Sequence, residues 1–129
     1  MERRKTDTLA VDLDGTLLEY PGTGPAPGKV NELPLGKVVP GMKEELEKVR
    51  AAGWRIAIWT VRSNVAEIRA LLDANDIPYD WINEHDNEPP DSSRKMAARV
   101  YLDDNVVLFD GKTEGLAERI LSFKPWWKR

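Results

Sequence analysis

The chain has 129 residues, 41% of them apolar and 32% charged, with a formal charge of −3 and no cysteine. These values fit one domain over 1–129 around a single core. They exclude a disulfide framework, a thiolate zinc site and a broadly basic face for coating nucleic acid. No apolar run nears the ~18 residues of a membrane span, and the basic Met1–Lys5 leads into no apolar stretch of signal-peptide length, so a cytoplasmic protein without membrane contact is expected.

Thr8-Leu9-Ala10-Val11 reads as a buried strand that delivers Asp12 and Asp14 before breaking at Gly15. Aspartate is a poor strand residue, so two of them at this point call for a reason. A plain Asp-Gly turn is the bland one. A Gly/Pro-rich stretch follows from Glu19 to Gly41, with Pro21, Pro25, Pro27, Pro34 and Pro40. Connections of that length are usually functional, and residues 19–40 read as a flap or as passive surface. Pro40-Gly41 opens a helix with Met42, Leu46 and Val49 on its apolar face, a Glu44–Lys48 pair on the other side and Gly53 as its stop.

Trp54 to Trp59 is expected as the second strand. Ser63 or Asn64 caps the next helix, with Glu67 at capping-box spacing from Asn64 and a buried stripe of Val65, Ile68, Leu71 and Leu72. Tyr79–Ile82 is a short third strand, and Asn83–Asp91 a polar loop. A short helix around 93–98 leads to a fourth strand, Arg99–Leu102, ending at Asp103-Asp104. Val106–Phe109 reads as an edge strand, and Thr113 caps a terminal helix carrying Leu116, Ile120 and Leu121. Trp126-Trp127 is unusual for a tail; it either packs on the body or meets another subunit. Strands separated by helices of this length predict right-handed βαβ units and a mostly parallel sheet.

Ligands of such sheets bind outside the carboxyl ends of the strands. Asp12, Asp14, Thr60, Asp103 and Asp104 all fall there, and Lys95 lies just before the fourth strand. Clustered carboxylates repel one another. A hard divalent cation relieves them, and Mg²⁺ takes a few carboxylates plus water and phosphate oxygens. Lys95 would add a second positive charge for phosphate oxygens. Taken alone, Asp103-Asp104-Asn105 fits a solvated turn equally well.

The set resembles the haloacid dehalogenase superfamily. Asp12-Leu13-Asp14-Gly15-Thr16 stands as its first motif, Ile56-Ala57-Ile58-Trp59-Thr60 as its second, Lys95 as its third and Leu102-Asp103-Asp104 as its fourth. The resemblance implies a Rossmann-like three-layer α/β/α sandwich around a mostly parallel sheet. It also implies a Mg²⁺-dependent phosphatase in which Asp12 attacks phosphorus to form an aspartyl-phosphate, with Asp14 as general acid and base. Gly15, Thr60, Val61, Arg62 and Lys95 would meet the phosphate. Asp12, the Asp14 backbone carbonyl, Asp103 and Asp104 would hold the metal, with Asp104 the better match for the direct ligand. Thr60-Val61-Arg62 occupies the place of a Ser-Gly-Arg segment in polynucleotide kinase-phosphatases, whose arginine touches phosphate. Val61 departs from that pattern, and a surface arginine at a helix start is the alternative.

Neither the 19–40 window nor 83–91 holds enough residues for a cap domain. Capless relatives act on macromolecular ends or close their sites by oligomerising, so a homo-oligomer is one expectation. The substrate class stays open among nucleotides, polynucleotide ends and small phosphometabolites. A non-catalytic interaction module of the same fold is the other class of reading. A phospho-receiver fits poorly, because its acidic pair comes at the first strand and here it comes at the last. His85, the one histidine, is either incidental or near substrate. Tyr20 and Trp59 invite base stacking, with core packing the plainer role for Trp59.

Overall fold

A computed structural model describes residues 7–22, 28–86 and 88–128. Met1–Lys5 and positions 23–27 of the expected flap lie outside the described residues. Four parallel strands form one sheet: β1 (Thr8–Val11), β2 (Arg55–Ile58), β3 (Trp81–Ile82) and β4 (Val100–Leu102), in the order β3-β2-β1-β4. The strands are one or two residues shorter than the apolar runs suggest, apart from β1, which matches its run. The mostly parallel α/β architecture expected from the alternation is thus present.

Register sorts the side chains onto two unlike faces. Leu9 and Val11 pair with Ile56 and Ile58, whereas Ala10 pairs with Ala57. The bulky face is covered by α1 (Met42–Ala51) and α2 (Val65–Ala74), which bury Leu46, Ile68 and Leu72 against it. Each such side chain, fully withdrawn from water, contributes about 1.5–3 kcal/mol. Gly41 enters α1 at φ 87°, and Gly53 leaves it at φ 93°, both in the left-handed region that glycine adopts freely.

The alanine face is covered differently from expectation. Met96 and Ala98 pack there with Trp59 and Trp81, but residues 93–98 are irregular rather than helical. Side chains claim the backbone groups that a helix would use. The Ala97 N–H donates to Glu88 Oε1 at 3.0 Å, the Ala97 carbonyl accepts from His85 Nε2 at 2.6 Å, and the Met96 carbonyl accepts from the Tyr101 hydroxyl.

Smaller expectations also change. Lys48 pairs with Glu45 at 3.1 Å rather than with Glu44. Asn64 precedes α2 without capping its backbone, since its side-chain amide reaches Glu67 at 3.3 Å. The last helix, α3 (Leu116–Leu121), begins after Gly115 at φ 70° instead of at Thr113, whose carbonyl accepts from the Leu116 N–H. It leaves Ile120 and Leu121 exposed. Val106–Phe109 joins no strand, so β4 forms the sheet edge among the described residues.

The turn after β1 is built to hold its acids. Leu13, Leu17 and Leu18 are fully buried. The Leu18 N–H donates to the Leu13 carbonyl at 2.9 Å, and Gly15 N–H to the Leu18 carbonyl at 2.8 Å. Leu18 then bridges antiparallel to Val38, which ties the base of the 19–40 stretch to the strand end.

Candidate functional site

β1 and β4 are adjacent and parallel, so their carboxyl ends release acids side by side. The Asp12 N–H still donates to the Leu102 carbonyl at 2.9 Å, so Asp12 and Asp103 leave the ladder together. Asp12, Asp103 and Asp104 each offer a carboxylate oxygen, all within 4.8 Å of one another. The Thr16 hydroxyl lies between two of them, 3.4 Å from Asp12 Oδ2 and 3.3 Å from Asp104 Oδ1.

The crowding shifts their protonation. Burial, then the hydrogen bond to Asp104, then the charges of Asp103 and Asp104 push Asp12 up to about 8. Burial also acts to raise Asp104. Bonds accepted from Asp12 and Trp127, and from its own backbone N–H, outweigh that and hold it below the usual carboxylate range. Of the two, Asp12 is therefore the one that holds a proton more readily. A cation would displace that proton. Three hard oxygen donors at this spacing fit a divalent ion of the Mg²⁺ kind.

Arg62 is reassigned. It is neither exposed nor turned to the cavity: it is 1% exposed, with Nε 2.7 Å from Asp14 Oδ2 and Nη2 2.8 Å from Asp14 Oδ1. Its remaining donors reach the carbonyls of Leu33 at 2.6 Å and Pro34 at 3.3 Å. This bidentate fork occupies both oxygens of the Asp14 carboxylate and anchors the far end of the 19–40 stretch. Lys95 is not brought to the acids either. It is exposed, with its ammonium 5.5 Å from the Tyr101 ring centroid, and it forms no ion pair among the described residues.

A cavity of about 340 Å³ opens over the acids, lined among others by Asp12, Asp14, Thr60, Val61 and Asp103. Thr60 Oγ1 accepts from the Arg62 N–H at 3.2 Å, which leaves the hydroxyl proton free to donate. Val61 is almost fully exposed at this mouth. Gly15 sits beneath the acids at φ 83°, where a Cβ would meet Asp104 Oδ2 at 2.3 Å. A larger groove of about 420 Å³ lies at the sheet edge among Leu9, Val49, Trp54 and Val100. It is mainly apolar and carries no cluster of acids.

Two contributors escape a reading by spacing. Asn83, at φ 61°, follows β3 and pins the Thr60–Arg62 turn: its Oδ1 accepts from the Thr60 N–H at 2.8 Å and its Nδ2 donates to the Arg62 carbonyl at 3.0 Å. Asparagine's tolerance of left-handed backbone was the available signal. The other is the C-terminal tryptophan pair, which closes on the site. Trp126 Nε1 donates to the Gly15 carbonyl at 2.7 Å and Trp127 Nε1 to Asp104 Oδ2 at 2.6 Å. His85, by contrast, is a buried structural group bonded to Ala97 and 3.0 Å from Glu88. Trp59 packs 5.6 Å from the Tyr101 ring.

No protein-family model and no curated protein matches the chain. A solved structure of a conserved protein from Bacteroides thetaiotaomicron is similar at 23% identity and a TM-score of 0.63, over 91% of this chain and 90% of that one. That likeness supports the fold.

Proposed function

We propose that this protein is a Mg²⁺-dependent phosphomonoesterase of the haloacid dehalogenase type, with a capless, Rossmann-like sandwich. One observation carries the reading: three carboxylates from the ends of two adjacent parallel strands converge, and two of them, Asp12 and Asp103, line a cavity where sheets of this kind take their ligands. Asp12, Asp103 and Asp104 would hold the ion, which supplies charge neutralisation for Asp12 and for phosphate oxygens.

The chain's own groups then divide the work. Asp12, relieved of its proton, attacks phosphorus while the ester P–O bond breaks and the leaving oxygen takes a proton from Asp14. Water next attacks phosphorus, gives its proton to Asp14 and frees the Asp12 carboxylate. Thr60, which lines the cavity, would donate to a phosphate oxygen. Over a full cycle Asp14 begins and ends with the proton that it hands to the leaving oxygen and regains from water, and Arg62 forks both of its oxygens. For the donating step it must leave one arm of that fork. The substrate class stays open among a small phosphometabolite, a nucleotide and a polynucleotide end, and all three are to be assayed.

The test is hydrolysis of para-nitrophenyl phosphate with Mg²⁺, where Asp12→Asn is expected to lower kcat by about 10³-fold or more. Equal rates for the two proteins would refute the reading. The Asp14–Arg62 fork and the lack of an ion pair between Lys95 and the acids among the described residues favour one rival, a cation-binding module without catalysis. Mg²⁺ binding with no turnover of any phosphate ester would select it.

A further inference from the structure

The C-terminal Trp126-Trp127 pair has no part in the chemistry above, yet it is wired into the acids. The Trp127 ring lies flat on Tyr20, with centroids 3.9 Å apart and planes within 2°. The Lys128 ammonium is 5.3 Å from the same ring. That stack fixes the direction of the indole N–H, which donates to Asp104 Oδ2 at 2.6 Å. Trp126 fastens the same segment to the Gly15 carbonyl. Glycine is required at that point, because a Cβ there would come within 2.7 Å of Trp127 Nε1.

We propose that Trp127 is a positioning residue for the metal ligand Asp104. With Oδ2 held by the indole and Oδ1 near the Thr16 hydroxyl, the carboxylate plane is set before any ion arrives. Hydrogen bonds of this kind to ligand carboxylates typically govern 10–100-fold in metal affinity. The inference rests on reading Asp12, Asp103 and Asp104 as a cation site. Its consequence is that the last few residues of the described chain set the affinity of a site whose ligands all come from strand ends.

Calorimetric titration of Mg²⁺ into wild type and Trp127→Phe tests it. Phenylalanine keeps a ring on Tyr20 and removes only the N–H donor. The expected result is folded protein by circular dichroism with Mg²⁺ affinity weakened by about 10–100-fold. A second readout uses the wild type alone: the Trp127 indole N–H resonance, assigned by through-bond correlation to its own backbone, should shift during Mg²⁺ titration in nitrogen-15 NMR spectra, and it decides the matter if the variant misfolds. Equal affinity of folded Trp127→Phe and wild type, or an unmoved indole resonance while Mg²⁺ binds, overturns the positioning role and leaves the metal reading intact. Failure of the wild type to bind Mg²⁺ overturns both.

Discussion

Asp12→Asn tests the electrostatics of the acidic trio independently of catalysis. In the metal-free protein Asp12 is raised from 3.8 to about 8, by burial first and by its acidic neighbours second. A raised folded-state value means that the native state holds a proton the unfolded chain gives up. The resulting stability is fully present below pH 3.8 and drains away as the pH rises toward 8. Each pH unit inside that window is worth at most about 1.4 kcal/mol. Two effects reduce the total. Asp104, held below its usual range, contributes with opposite sign, and Asp12 is only half-buried, so water screens part of the repulsion. A net loss on the order of 2 kcal/mol across the window is therefore expected. Asparagine imitates the protonated acid, because its amide donates to Asp104 without carrying charge. Urea unfolding of both proteins in a chelator, at pH steps from 5 to about 8, should give a falling profile for wild type and a much flatter one for Asp12→Asn. Saturating Mg²⁺ should then restore wild type at pH about 8. Parallel profiles for the two proteins would refute the proton held on Asp12, and with it the argument that a cation is needed there.

Arg62→Ala strands a partly buried Asp14 and two loop carbonyls, and should cost about 3–5 kcal/mol in chemical unfolding; a loss below about 1 kcal/mol would show that the fork is not structural. Arg62→Lys keeps the charge without the two-pronged geometry and should recover only part of that loss. Gly15→Ala strains a left-handed backbone for about 1–3 kcal/mol and drives a methyl group into Asp104 and Trp127, so tryptophan emission should shift to the red as the tail is displaced; unchanged emission would contradict the docking. His85→Ala leaves the Ala97 carbonyl without its donor and should lower stability by about 1–3 kcal/mol, while Mg²⁺ affinity measured by calorimetry stays at the wild-type value.

What the amino-acid sequence determined by itself is what depends on near neighbours. Alternation and helical periodicity are local, so β1, α1, α2 and the parallel α/β layout were legible from Thr8–Val11, the Met42–Leu46–Val49 face and the Ile68–Leu72 stripe. The positions of Asp12, Asp14, Asp103 and Asp104 at strand ends were legible for the same reason, and the fold brings three of them within one ion's reach. The departures lie where a partner distant in sequence claims a group. Residues 93–98 have helical spacing, yet Glu88, His85 and Tyr101 take their backbone donors and acceptors. Arg62 stands 48 positions from Asp14, and only the crossing of the β2 end over the first turn sinks its guanidinium between that carboxylate and the Leu33 and Pro34 carbonyls. Trp127 stands 23 positions from Asp104; its ring is directed by a stack on Tyr20 that no local pattern encodes. Composition and periodicity name the reactive groups. Which of them are neutralised, oriented or left facing the cavity is settled by burial, because a charged group withdrawn from water must find its counter-charge or donor wherever the chain brings one.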